Sequence, residues 1–482
     1  MNLKSLAKDT AIYGLSSIVG RFLNYLLVPL YTTKILAESG GYGIVTNLYA
    51  YTALLLALLT FGMETTLFRF STREGEDRGL VYSTALRIVG TLAFVFLFVV
   101  VLALKPLSLA MGYAEHPEYI LAMAFVVAMD AFQAIMFSHL RLEGKALKFM
   151  GLKFAFIIPN ILLNLAIFFI MPRFAYTAEI YHRFSDGVGL IFFANLLCTF
   201  GVFFLFGDER KAIGGGFDRA LARRMLSYSW PLLLLSLVGI LNQVADKILF
   251  PFLGGPDAQV QLGIYGACVK IAMIMSLLTQ AFRYAYEPIV FNGSASKDSP
   301  ETLAEGMKWF VIVTLFAFLA VIVYLPVLKY FIGSSYWEGL KVVPIVMAAE
   351  IFMGVYFNLS FWYKLTDKTW WGAVLSGIGA AVMIAVNVVF VPKIGYMACA
   401  WGGFAGYGVA MVLSWAIGRG KYPVPYDAGR ISAFVIVALS FLVLYNLLQR
   451  ACLPLWGELS IGTALLGVYA ILILKELKSY KK

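Results

Sequence analysis

Runs of twenty or more mostly apolar residues, separated by short polar or charged stretches, recur along the whole chain. A helix rising about 1.5 Å per residue needs roughly 20 residues to cross a hydrocarbon layer about 30 Å thick. The pattern therefore predicts an all-α integral membrane protein with about fourteen spanning helices. They fall near 10–34, 41–70, 79–104, 117–140, 150–171, 187–206, 225–251, 262–291, 303–328, 339–363, 369–391, 395–418, 431–450 and 456–475.

The pattern also repeats. With residue i set beside residue i+223, without a gap from Tyr42 to Asn164, Tyr42-Gly43 meets Tyr265-Gly266, and Glu64 meets Glu287. Tyr113-x-Glu115 meets Tyr336-x-Glu338, Arg141 meets Lys364, Lys145 meets Lys368, and Asn164 meets Asn387. Identity across the window is low, and the agreement in register carries the inference. In the first helix of each half an offset of 222 sets Asn24-x4-Pro29 beside Asp246-x4-Pro251. Each repeat has six spans, an even number, so both enter from the same side and are parallel repeats. The expected organisation is an N-lobe of helices 1–6 (1–212), a C-lobe of helices 7–12 (213–421), and helices 13–14 with a cytoplasmic tail (422–482).

Composition agrees: 61% of residues are hydrophobic and 13% charged, against about 25% charged in soluble domains. The basic residues are unevenly placed. With the N-terminus inside, outer segments hold only Lys34, Lys105, Arg173, Arg183, Lys329, Lys341, Lys393 and Arg450. The linker Gly207–Arg224 alone carries Arg210, Lys211, Arg219, Arg223 and Arg224. The positive-inside rule then places both termini in the cytoplasm. This bias accounts for the +11 net charge, and no nucleic-acid partner is needed. Lys4 and Lys8 resemble the start of a signal peptide, but the apolar stretch runs past Arg21 and Asn24 to Pro29. It is too long and polar for a cleaved segment, so the first helix is expected to stay as an anchor.

The four cysteines, Cys198, Cys268, Cys399 and Cys452, sit in apolar helices without CxxC spacing, and His116, His139 and His182 form no ligand pattern. No metal or cofactor is expected. Tryptophans gather at span ends, as interfacial belts do. Gly402-Gly403-x-x-Gly406 has the spacing that lets two helices approach closely. Pro159 and Pro288 fall inside spans, where a kink serves either a cavity or plain packing. All loops are short, which leaves no room for an external catalytic domain.

Ionisable groups inside spans are costly and usually face a cavity or one another. Arg21 lies mid-span with Asn24 on its face, where a guanidinium lines a hydrated cavity or pairs with an acid. Lys270 stands near the outer end of the eighth helix, and Arg283 and Glu287 are spaced to pair with each other. Arg87 is expected to anchor at the interface. The matched Glu64 and Glu287 suit a cytoplasmic gate, with a structural salt bridge as the alternative. Asp130 and Glu350 occupy one face of equivalent helices, since 350 less 223 is 127, one turn from 130. A carboxylate in low dielectric can exchange a proton or bind a cation, so this pair is the candidate for coupling to H+ or Na+.

The run Asp9-Thr10-Ala11-Ile12-Tyr13-Gly14-Leu15-Ser16, continuing to Arg21, Asn24 and Pro29-Leu30-Tyr31, resembles the opening of bacterial polysaccharide transporters. These are the Wzx-type lipid-linked oligosaccharide flippases of the multidrug/oligosaccharidyl-lipid/polysaccharide exporter superfamily. Gly40-Gly41-Tyr42-Gly43, Arg141-x3-Lys145 and the duplicated six-helix plan extend the resemblance over the chain. It implies two lobes in a V around a cavity that opens alternately to either side. A cationic cavity would hold the pyrophosphate of an undecaprenyl-linked glycan, with the lipid tail in the bilayer. Arg21 falls where related flippases place a functional arginine, and Asn24, Lys270 and Arg283 are the further substrate candidates. An arginine fork suits phosphate oxygens. The implied setting is a bacterial inner membrane, with polymerase and chain-length proteins of O-antigen, capsule or exopolysaccharide assembly as partners.

The nearest rival is a cation-coupled multidrug exporter of the same superfamily, against which the intramembrane Arg21 counts. A peptidoglycan-precursor flippase is a close cousin. A membrane glycan polymerase or ligase, an enzyme, is disfavoured by the short loops and duplicated halves, so no catalytic residue is assigned.

Overall fold

The computed structural model describes residues 19, 23, 25–293, 299–450 and 454–480, and every regular element among them is a helix. After a short α1 (Leu27–Lys34) come α2 (Gly41–Thr60), α3 (Met63–Ser71), α4 (Arg78–Leu102), α5 (Pro117–Leu142), α6 (Ala146–Phe169) and α7 (Val188–Leu205). There follow α8 (Arg219–Leu253), α9 (Ala258–Gly293), α10 (Ser299–Leu328), α11 (Val343–Leu359), α12 (Trp370–Ile394), α13 (Met397–Lys421), α14 (Ala428–Arg450) and α15 (Leu455–Tyr480). Among the described residues, 13 helices are long and apolar enough to cross a membrane. They match the second to fourteenth expected spans one for one. Of the first, only the last turns are described, as α1.

By internal contacts the chain forms two compact units, Met1–Gly263 and Ile264–Lys482. The seventh span, α8, is therefore counted with the first six. Helices α4, α8 and α14 begin on a built cap: Asp77 accepts from the Gly79 amide at 2.9 Å, Asp218 from the Ala220 amide at 2.7 Å, and Asp427 from the Arg430 amide at 3.0 Å. Each satisfies one of the amides that a helix start leaves open.

The second span is not continuous. Phe61 and Gly62 both take left-handed backbone angles, with φ of 51° and 67°, and split it into α2 and α3. Left-handed geometry is rare for a bulky residue, and here the break is filled by α8. A Cβ on Gly62 would stand 3.0 Å from Leu232 Cβ and 3.3 Å from the Ser229 carbonyl oxygen. Beyond the break, Met63, Leu67 and Phe70 of α3 enter the buried core of the first unit with Tyr82, Leu86, Met136, Phe206 and Met225. This packing fixes the rotation of α3 and hence the direction of Glu64.

In the second unit, α12 and α13 touch through glycine, as the Gly402–Gly406 spacing led one to expect. A Cβ on Gly406 would lie 2.6 Å from the Gly379 carbonyl oxygen, and one on Gly379 would lie 2.9 Å from that of Gly406. Both chains of backbone need the missing side chain. Beside them Tyr356, Trp362, Tyr363, Leu375 and Ala410 form a buried cluster, and Met307, Phe310, Val311 and Leu359 another.

Candidate functional site

At one end of the first unit, α3 presents Glu64 to α5. Arg141 Nη2 donates to Glu64 Oε2 at 2.9 Å, and the Ser138 hydroxyl donates to the same oxygen at 3.0 Å. The pair is half-exposed, so its Coulomb energy is screened. Next to it lies a group that the sequence did not single out. Glu209, in the linker after α7, has its side chain only 2% exposed and takes Lys148 Nζ at 2.5 Å, with Lys145 Nζ at 3.7 Å. Lys145 also bonds Glu143 at 2.6 Å, and this hydrogen bond lifts its ammonium above the usual lysine value. Glu209 looked like one more residue of a solvated basic linker, and nothing in its spacing marks it as buried. Arg87 likewise reaches the linker, donating to the Gly215 carbonyl oxygen.

The second unit contains the corresponding pair. Lys364 Nζ lies 3.5 Å from Glu287 Oε1, and Arg283, one turn earlier on α9, reaches the same oxygen at 3.3 Å. The Arg283 guanidinium also covers the Phe357 ring at 4.4 Å. The structure thus brings two sequence candidates, Arg283 and Glu287, into one cluster with Lys364. Both Glu64 and Glu287 stand in ion pairs inside their own units.

Asp130, half-buried on α5, accepts from the Thr199 hydroxyl at 3.4 Å. Gln133 donates to the Thr199 carbonyl oxygen at 2.9 Å, and Asn195 to the Tyr49 hydroxyl at 2.8 Å. Spans two, four and six thereby share a buried patch of oxygen and amide groups around one carboxylate. Glu350 on α11 and Lys270 on α9 are half-buried in the second unit. Arg21 and Asn24 lie outside the described residues. Among the described residues, no three His, Cys, Asp or Glu side chains gather in a metal-holding group.

A polar seam joins α8 to the second span. Asn47 donates to the Lys247 carbonyl oxygen at 2.8 Å and accepts from the Tyr113 hydroxyl at 2.7 Å. Lys247 Nζ holds its neighbour Asp246 at 3.0 Å. Toward the other end of α8, the Thr66 and Ser229 hydroxyls meet at 2.6 Å. At Gly43 an added Cβ would stand 1.9 Å from the Gln259 carbonyl oxygen, so α2 and the start of α9 are in backbone contact. Asn47 and Thr66 read as ordinary polar residues of a span because their partners lie 66 to 200 positions away.

Residues 6–289 match the family model described as polysaccharide biosynthesis protein, which covers more than half of the chain. The chain belongs to this family. No curated protein matches it significantly in sequence. Among solved structures it resembles the lipid II flippase MurJ in an inward closed conformation, with a TM-score of 0.72 at 13% identity, over 98% of this chain and 99% of that one. It also resembles an inward-facing multidrug resistance transporter of the MATE family, in the MOP superfamily, with a TM-score of 0.65 at 17% identity, over 88% and 98%. The MATE multidrug transporter DinF-BH aligns with a TM-score of 0.59 at 18% identity, over 86% and 96%. This polysaccharide biosynthesis protein therefore has the transporter fold of MurJ and MATE proteins, and it is a multi-pass membrane protein.

Proposed function

We propose that the chain is a non-catalytic, alternating-access flippase. It would move an undecaprenyl-pyrophosphate-linked oligosaccharide across the bacterial inner membrane for O-antigen, capsule or exopolysaccharide assembly, with both termini cytoplasmic. The observation that carries this reading is membership of a polysaccharide biosynthesis family on a fold shared with a lipid flippase. A transporter in such a family must pass a polar glycan through the membrane while its lipid stays in the hydrocarbon, and the short loops leave the work to the helices.

In this reading Arg21, Asn24, Lys270 and Arg283 meet the pyrophosphate. Arg283 is held by Glu287, so it becomes available to a phosphate only as that pair loosens. Glu64 and Glu287 act as the latches of the cytoplasmic gate within their own units. Asp130, set among Thr199, Asn195, Gln133 and Tyr49, and Glu350 couple the cycle to H+ or Na+, since a carboxylate in low dielectric is the group a cation or proton neutralises. A glycan polymerase and chain-length proteins would take the product.

Deletion of the gene should leave lipid-linked oligosaccharide on the cytoplasmic leaflet, and the wild-type chain should return it to the outer one. Normal surface glycan after deletion, with loss of resistance to cationic dyes, would instead support a cation-coupled multidrug exporter. The likeness to MATE transporters is what favours that second reading.

A further inference from the structure

The two ion pairs differ in their surroundings. In the first unit the Ser138 hydroxyl donates to Glu64 at 3.0 Å. The offset of 223 puts Phe361 in the place of Ser138, so the second-unit pair has no such hydroxyl. It has a small pocket instead, lined among others by Thr279, Arg283, Glu287, Gly354, Phe357 and Asn358, with a volume of about 10 Å³. That is room for roughly one water molecule.

Two oxygens of this pocket have no partner. Thr279 and Asn358 are 4% and 6% exposed, and Thr279 Oγ1 and Asn358 Oδ1 make no hydrogen bond. The amide orientation is fixed, because Asn358 Nδ2 donates to the Gly354 carbonyl oxygen at 3.0 Å and an oxygen in that place could not donate. Asn358 Oδ1 is thus a buried acceptor that requires a donor. Their counterparts 223 residues earlier, Leu56 and Ile135, are apolar and pack in the first unit's core. The polar pair therefore belongs to the second unit alone, the one that lacks the serine.

The chemistry of the lining selects the occupant. A metal cation would stand beside the guanidinium of Arg283 and near Lys364, and an anion beside Asn358 Oδ1 and Glu287. A neutral group that both donates and accepts, and is no larger than the pocket, suits every neighbour. We propose that this pocket is a built hydration site. One ordered water donates to Asn358 Oδ1, bonds Thr279 Oγ1 and lies beside Arg283, serving the Arg283–Glu287–Lys364 cluster as Ser138 serves Glu64–Arg141. Unlike a helix-borne hydroxyl, a water turns freely, so Arg283 and Lys364 can exchange bonds without leaving a polar atom bare. This site does not depend on which cargo the protein carries.

The test is a structure of the full chain in lipid at a resolution that shows waters. The expected result is a density peak about 2.7–3.2 Å from both Asn358 Oδ1 and Thr279 Oγ1, absent in the T279V/N358L double variant. Radiolytic hydroxyl labelling gives a second readout. Phe357 and Phe310, which both line the pocket, should be modified several-fold faster in the wild-type chain than in the T279V/N358L variant. A pocket filled by protein, with Asn358 Oδ1 accepting from a side chain, would overturn the proposal. So would a peak at metal-ligand distances that comes and goes with sodium, or labelling of these rings at the same rate in both chains.

Discussion

Glu287 meets Lys364 in the second unit as Glu64 meets Arg141 in the first, at 3.5 Å and 2.9 Å, with 223 residues between each corresponding partner. The two halves thus share an interaction, acid on the second helix and base at the end of the fourth span, with arginine in one and lysine in the other. The neighbours diverged more: Ser138 became Phe361, and Thr60 became Arg283.

This divergence predicts unequal responses to removing the acid. The Glu64–Arg141 pair is half-exposed, and E64Q should lower stability by only about 0.2–1 kcal/mol. E287Q leaves both Arg283 and Lys364 without their shared acceptor and should cost more, about 1–3 kcal/mol. Thermal melts of the purified variants compare them, and an E64Q effect as large as that of E287Q would count against the assignment.

Buried Glu209 should matter more than its place in a basic linker implies. E209Q leaves Lys148 without its carboxylate partner, with an expected loss of about 1–3 kcal/mol. Substitution of the neighbouring Asp208, whose pairing with Lys211 is fully exposed, should be nearly silent. Equal melting temperatures for the two variants would contradict the burial of Glu209.

The Thr66–Ser229 contact at 2.6 Å lies on the seam between the second and seventh spans. In a chain whose four native cysteines are serines, T66C/S229C should cross-link on mild oxidation. If the seam opens during transport, export should stop on oxidation and resume on reduction. A cross-linked protein that exports at the normal rate would show that this seam stays shut throughout.

Glycine at the α12–α13 contact is a steric requirement. G406L would drive a side chain into the Gly379 backbone and should cost about 1–3 kcal/mol or more, seen as loss of folded protein in membranes. Gly403 has nothing within 4 Å of an added Cβ, so G403A should be tolerated.

The spans and the repeat were legible because they rest on long stretches of like character: an apolar run of span length has few other uses. The Gly402–Gly406 contact was legible for a related reason, since small residues at helical spacing have a steric meaning of their own. The break at Phe61-Gly62 was not, because a glycine in an apolar run is compatible with an unbroken helix until α8 fills the gap. Glu209 and the partners of Asn47 and Thr66 were hidden for another reason. Burial and long-range pairing are set by which helices touch, and a polar residue carries no local mark of it. Arg283 and Glu287 were recognisable as a pair from their spacing of four. Lys364, the third member, emerged only when the short turn after α11 was seen against α9.

The central claim is tested most directly by a flipping assay. The purified chain is reconstituted into vesicles that contain a fluorescent undecaprenyl-pyrophosphate-linked oligosaccharide, and an impermeant reagent added outside destroys accessible label. Vesicles with protein should lose label from both leaflets, while empty vesicles and those with the Arg21→Ala variant lose only the outer-leaflet fraction. An inner-leaflet pool that stays protected in the presence of folded wild-type chain, under both a proton and a sodium gradient, would contradict the account.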